Sequence, residues 1–219
     1  MNKGTVLVIA AHPDDEVLGA GGTLRKLVRQ GCPVVTVIVA QGRPEQEDQI
    51  RDLGIQANQR LGIHEVVFLG HKNLELESSP LHLLAKGLDE LLVKYQPTTI
   101  FTHHYGDLNR DHQITFQAVL TAARPLPRVQ PIQLICFEIV SSTEWTQYTD
   151  DKIFKPNYFV DISETIHDKL DALHHYDIEM RPFPHPRSYD GLTCLAQMRG
   201  MTVGLPYAEA FEVIRRVWK

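Results

Sequence analysis

The residues best suited to chemistry stand in two short stretches far apart in the chain. The first is Ala11-His12-Pro13-Asp14-Asp15-Glu16, an imidazole and three carboxylates within five positions. Neighbouring acids repel one another unless a cation, a helix N-terminus or solvent relieves them, and His12 and Asp15 are spaced to converge on one point. The second stretch is His103-His104-Tyr105-Gly106-Asp107-Leu108-Asn109-Arg110-Asp111-His112. His12, Asp15 and His112 together would make a face of two histidines and one carboxylate with a position left for water, the open coordination of catalytic rather than structural zinc. Asp14 would then be free to act as a base. Each stretch also has a plainer explanation: the acids at 14–16 cap one helix, Asp111 caps another, His12 is packed, and His103 and His104 end a strand. That explanation leaves the coincidence of the two stretches unexplained.

The elements that must position these residues are legible as alternating patterns. Apolar, β-branched runs at 5–10, 34–40, 65–69, 98–102 and 133–137 predict buried parallel strands. Helical patterns at 15–30, 45–61, 80–95 and 111–123 are each long enough to return the chain across a sheet. The expected fold is therefore α/β, a three-layer α/β/α sandwich around a mainly parallel, Rossmann-like doubly wound sheet whose ligands bind beyond the carboxyl ends of the strands. Both stretches fall there, after the first and fourth predicted strands. Beyond Phe137 the rhythm changes to a polar segment, a strand at 157–161, a helix at 163–177, a loop with three prolines at 181–187, then another helix and an amphipathic end of ambiguous type. The proline-rich loop is the expected lid over a site. With no repeat or linker, the chain reads as one domain over 1–219, in which 1–138 is the α/β core with the metal loops and 139–219 completes the substrate pocket. Gly19-Ala20-Gly21-Gly22 falls inside the first helix, where close packing or a kink explains it better than a dinucleotide loop.

Composition narrows the partners. The 219 residues carry 22 basic and 27 acidic side chains, a net charge of -5, which gives no footprint for nucleic acid or anionic lipid and favours a small molecule. The apolar run near the start is too short to span a bilayer, and the acids after it are a poor export-cleavage context. Cys32, Cys136 and Cys194 form no CxxC pair, so neither a disulfide framework nor a thiolate zinc site is indicated, and a reducing, cytoplasmic location is expected.

The complete string from Ala11 to Glu16 and the Asp-x-Asn-x-Asp-His form of the second stretch resemble the PIG-L (LmbE-like) family of zinc-dependent N-acetylglucosaminyl deacetylases. His185-Pro186-Arg187-Ser188-Tyr189 and Tyr207-Ala208-Glu209-Ala210-Phe211 also resemble family sequences. The resemblance implies zinc held by His12, Asp15 and His112, with Asp14 as general base for a zinc-bound water that attacks the acetyl carbonyl of an N-acetylated amino sugar or sugar conjugate. Other divalent metals such as Fe2+ share these ligands. One common family pattern has a histidine three residues before the ligand histidine, where this chain has Asn109. Asn109 keeps a hydrogen-bond donor, and His185 is the preferred substitute acid, ahead of His103, His104 and Tyr105. Arg187, Asn109 and His185 are candidate oxyanion donors, while Arg43, Arg187, His104 and Tyr105 are candidate substrate contacts. Trp145 and Tyr148 are candidates to stack on a sugar ring, although packing is the commoner fate of such aromatics. Two alternatives use the same ligands: a non-heme iron oxygenase, or a non-catalytic sugar- or nucleotide-binding module with a structural metal. A homo-oligomer is left open.

Overall fold

Every residue of the first strand is buried because helices cover both of its faces. The computed structural model describes residues 4–42, 44–126, 130–147, 149 and 151–217, so Arg43 and Tyr148 lie outside the described residues. Within them the order is β1 (Val6–Ala10), α1 (Asp15–Arg29), β2 (Val34–Ala40), α2 (Glu47–Leu61), β3 (Glu65–His71), α3 (Leu81–Tyr95), β4 (Thr99–His103), α4 (Arg110–Ala122), β5 (Gln133–Phe137), β6 (Tyr158–Asp161), α5 (Ile166–Leu173), α6 (Tyr189–Thr202) and β7 (Ala208–Arg215). Successive side chains of a strand point to opposite faces. Val6 and Val8 accordingly join Val17, Leu24, Ala57, Ile166 and Leu192, whereas Leu7 and Ile9 join Leu84, Leu88, Ile114 and Val119. The result is a sandwich with α1, α2, α5 and α6 on one face and α3 and α4 on the other.

The described strands form a seven-stranded sheet in the order β3-β2-β1-β4-β5-β7-β6. β3, β2, β1, β4 and β5 are parallel, and β7 runs antiparallel between β5 and β6. The chain winds outward from β1 through β2 and β3, then resumes on the other side with β4. The switch point therefore lies between β1 and β4, whose registers run from Val6↔Thr99 to Ile9↔Thr102. Ligands bind at such points in open α/β sheets. Gly19 packs where a Cβ would come within 2.4 Å of the Phe137 ring, so the helix glycines serve close packing on the sheet. No helix among the described residues is long and apolar enough to cross a membrane.

Two expectations need correction. The helix expected over 163–177 is shorter, Ile166–Leu173 followed by a single 3-10 turn at His174–Tyr176. The Ser163 hydroxyl donates to Asp161 Oδ1 and Thr165 Oγ1 donates to Gly22 O, so these side chains are committed outside the helix. The ambiguous C-terminal end is strand β7. Its pattern is obscured because Glu209 points into the core and is 5% exposed.

Candidate active site

The stretches after β1 and β4 meet above the switch point. The ligand-type atoms of His12, Asp15 and His112 all lie within 4.8 Å of one another. Asp15 Oδ2 is the focus, 3.3 Å from His12 Nδ1 and 3.2 Å from His112 Nε2. The outer nitrogen of each imidazole faces its own carboxylate: His12 Nε2 donates to Asp111 Oδ2 at 3.0 Å, and His112 Nδ1 faces Asp107 Oδ1 at 3.1 Å. Metal-binding histidines almost always have such partners, which fix tautomer and ring orientation, so the donor set fits a divalent cation.

Those two carboxylates are themselves held. Asp111 accepts from the backbone N–H groups of Leu74 (2.7 Å) and Leu76 (3.2 Å), in the segment between β3 and α3. Asp107 accepts from Thr143 Oγ1 at 2.6 Å, from the Ser142 hydroxyl, and from the Asn109 N–H at 2.8 Å. Asn109, rather than Asp111, caps α4, its side chain accepting the Asp111 N–H at 2.9 Å. This leaves the Asp111 carboxylate free to turn to His12. Neither Asp107 nor Asp111 was identified from the sequence as an orienting residue, though the Asp-x-Asn-x-Asp-His spacing was the available signal.

Asp14 sits beside this cluster in a strained conformation, with φ of 109°. Its N–H donates to Glu16 Oε2 at 3.1 Å, and Glu16 is fixed in turn by Asn58 Nδ2 (2.8 Å) and the Tyr176 hydroxyl (2.9 Å). Glu16 is therefore a buried bracket for the turn. Three of the four described non-glycine residues at positive φ, Asp14, Leu74 and Ser141, line the same cleft, a concentration of strain typical of functional sites. Arg187 reaches in from the proline-rich loop, with Nη1 3.0 Å from Asp14 Oδ2 and Nε donating to Ser141 Oγ at 3.3 Å.

Burial pushes the Asp14 carboxyl up to about 8 against the opposing pull of Arg187, and burial likewise raises Glu16 to about 7. Asp15 behaves oppositely: burial would raise it, but His112 and His103 outweigh that and hold it well below the carboxylate range. Burial would lower His112, yet Asp15 and Asp107 raise it to about 10. The field that favours a proton on that ring equally favours a cation beside it.

The cleft has a volume of about 230 Å³, and its lining includes His12, Asp14, Asp15, Asn109, His112 and Arg187 together with Gln41, Asn73, Leu74 and Glu179. The last four had no local sequence signal, being brought in from three segments distant in the chain. A larger cavity of about 690 Å³ opens at the other end of the strands, by the amino ends of β1, β4 and β5, but no imidazole or carboxylate stands among its described lining residues.

His185, His104 and Tyr105 are not among the described residues that line the cleft. His103 stacks on His112 with centroids 3.9 Å apart, whereas His104 points to Glu212, 3.4 Å away, as does the Tyr105 hydroxyl at 3.3 Å. His103 is also unsuited as an acid. Burial and the neighbouring His112 hold it well below the ordinary imidazole range, and its Nε2 accepts the Ala11 N–H at 2.8 Å. The His185 ring packs edge-on against Trp145 (5.6 Å), and its Nδ1 accepts the Arg187 N–H at 3.1 Å.

Fold and site together define a doubly wound α/β protein in which two histidines and one carboxylate, close enough to share a metal ion, stand beside a buried acid. The family model described as PIG-L, GlcNAc-PI de-N-acetylase, matches residues 7–123, more than half of the sequence, and the chain belongs to that family. It is 27% identical over 183 residues to the probable N-acetyl-alpha-D-glucosaminyl L-malate deacetylase 2 of Bacillus cereus, covering 77% of this chain and 80% of the relative. The N,N'-diacetylchitobiose deacetylase of Pyrococcus horikoshii superposes with a TM-score of 0.77 at 26% identity, covering 96% of this chain and 83% of that one. The zinc-inhibited form of teicoplanin deacetylase Orf2 shares the fold, with a TM-score of 0.77 at 16% identity over 98% of this chain and all of that one.

Proposed function

We propose that the protein is a metal-dependent N-deacetylase that removes the acetyl group from an N-acetylated amino sugar or sugar conjugate. The observation that carries this is the meeting of His12, Asp15 and His112 from two distant loops, each imidazole backed by its own carboxylate. Family membership and deacetylase relatives support it over the oxygenase and binding-module alternatives. His12 Nδ1, Asp15 and His112 Nε2 would hold the ion, with zinc the first candidate from the donor set. When bound, such an ion supplies a Lewis acid that polarises an amide carbonyl and acidifies water at neutral pH.

The chain's own residues account for the rest of the reaction. Asp14, held by Glu16 and beside the ligands, takes a proton from the attacking water as its oxygen joins the acetyl carbon. The carbon–nitrogen bond then breaks, Asp14 returns the proton to the leaving amine, and acetate departs. Arg187, bonded to Asp14 Oδ2, is placed to donate to the carbonyl oxygen as negative charge develops there, with Asn109 the second donor on the cleft wall. Incubating metal-reconstituted protein with N-acetylglucosamine and its conjugates tests this. Acetate and primary amine should appear in equal amounts, and release of neither from any member of the set would reject the proposal.

A further inference from the structure

Leu74 stands in the cleft wall in a conformation that does not suit its side chain. Its φ is 59°, in the left-handed region that strains a bulky residue and that glycine or asparagine enters at lower cost. The conformation itself has a reason. It belongs to the turn that aims the N–H groups of Leu74 (2.7 Å) and Leu76 (3.2 Å) at Asp111, whose Oδ2 also accepts from His12 Nε2 at 3.0 Å. That reason concerns the main chain alone, and glycine would meet it as well. Packing does not repay the strain either: Leu76, two residues on, is fully buried, whereas Leu74 is 71% exposed. The other apolar side chains of the cleft lining, Pro13 and Ile50, are buried. Among the described residues Leu74 is therefore the one large apolar surface that this cleft offers a ligand. Ligand sites combine a few placed polar groups with apolar surface, and here the polar groups are in excess.

We infer that Leu74 is a specificity-determining contact, its side chain packing against a C–H face of the bound sugar ring while the polar lining takes the hydroxyl and amide groups. That the ligand is an acetamido sugar rests on the deacetylase reading. The test compares metal-reconstituted wild type, Leu74→Gly, Leu74→Asn and Leu74→Met with N-acetylglucosamine and its methyl glycosides. Calorimetric affinity and KM for acetate release are measured beside melting temperature and metal retention against a chelator. Leu74→Gly and Leu74→Asn should melt no lower than wild type and retain metal equally, because the strain is relieved and the N–H to Asp111 is kept. Their affinity for the best-bound sugar should nonetheless fall about tenfold, with KM rising to match, and Leu74→Met should recover most of the loss. A contact that only supports the fold would move the melting temperature instead. Unchanged affinity in Leu74→Gly, no measurable binding by wild type, or an affinity loss that tracks loss of metal or of melting temperature overturns the inference. Should a sugar bind but no acetate be released, the deacetylase reading fails while the ratio of affinities still decides the role of Leu74.

Discussion

Helix α1 carries two buried clusters of charge, and they are built on opposite principles. In its middle, Glu209 accepts from the N–H groups of Gly22 (3.0 Å) and Thr23 (2.7 Å) and pairs with Lys169 Nζ at 2.7 Å, while Lys169 also donates to Leu18 O at 2.8 Å. Charge is balanced within the pair, and both carboxylate oxygens and the ammonium have partners. At the N-terminus of the same helix, three acids stand in succession, the middle one, Asp15, lies within 3.5 Å of His12, His103 and His112, and His103 Nδ1 is buried without a hydrogen-bond partner among the described residues. A cluster that satisfies itself is part of the scaffold. One that piles acids beside imidazoles aimed at a common point is arranged for something that binds.

Substitutions should separate the two clusters sharply. Asp14→Asn keeps shape but removes the proton acceptor, so turnover should fall about 10²- to 10⁴-fold with metal content unchanged. Full activity in this variant would deny Asp14 its role. Lys169→Met should instead cost about 3–5 kcal/mol of folding stability by stranding Glu209 as an unpaired buried charge. Denaturant melts check this, and an unchanged midpoint would show that the pair is not structural. Asp107→Asn and Asp111→Asn sit between these extremes, weakening metal affinity about 10- to 100-fold through the histidines they orient. Competition with a metal chelator measures that loss. The smallest effect belongs to Tyr176→Phe, which removes one bond to Glu16 and should cost about 1 kcal/mol while Asn58 and the Asp14 N–H still hold the carboxylate.

The two loops that meet at the site were legible because their residues are local to strand ends, where a doubly wound sheet must present them. Partners reached through space were not. Asp111 looks in sequence like a helix cap, and only the fold shows Asn109 doing that work while Asp111 turns to a histidine 99 positions away. Arg187 was named as a donor, but its approach to Asp14 spans 173 positions with no periodic signal. His104 and Tyr105 turn toward β7, whereas their chain neighbour His103 faces Asp15 and His112. β7 was obscured by its inward Glu209, a charge that makes sense only once Lys169 stands opposite it.

Metal stoichiometry in single-ligand variants tests the central claim most directly. Wild-type protein dialysed against a divalent metal and then desalted should retain one equivalent per chain, with His12→Ala and His112→Ala each losing it while remaining folded. Undiminished metal retention by both variants would contradict a shared ion between the two loops.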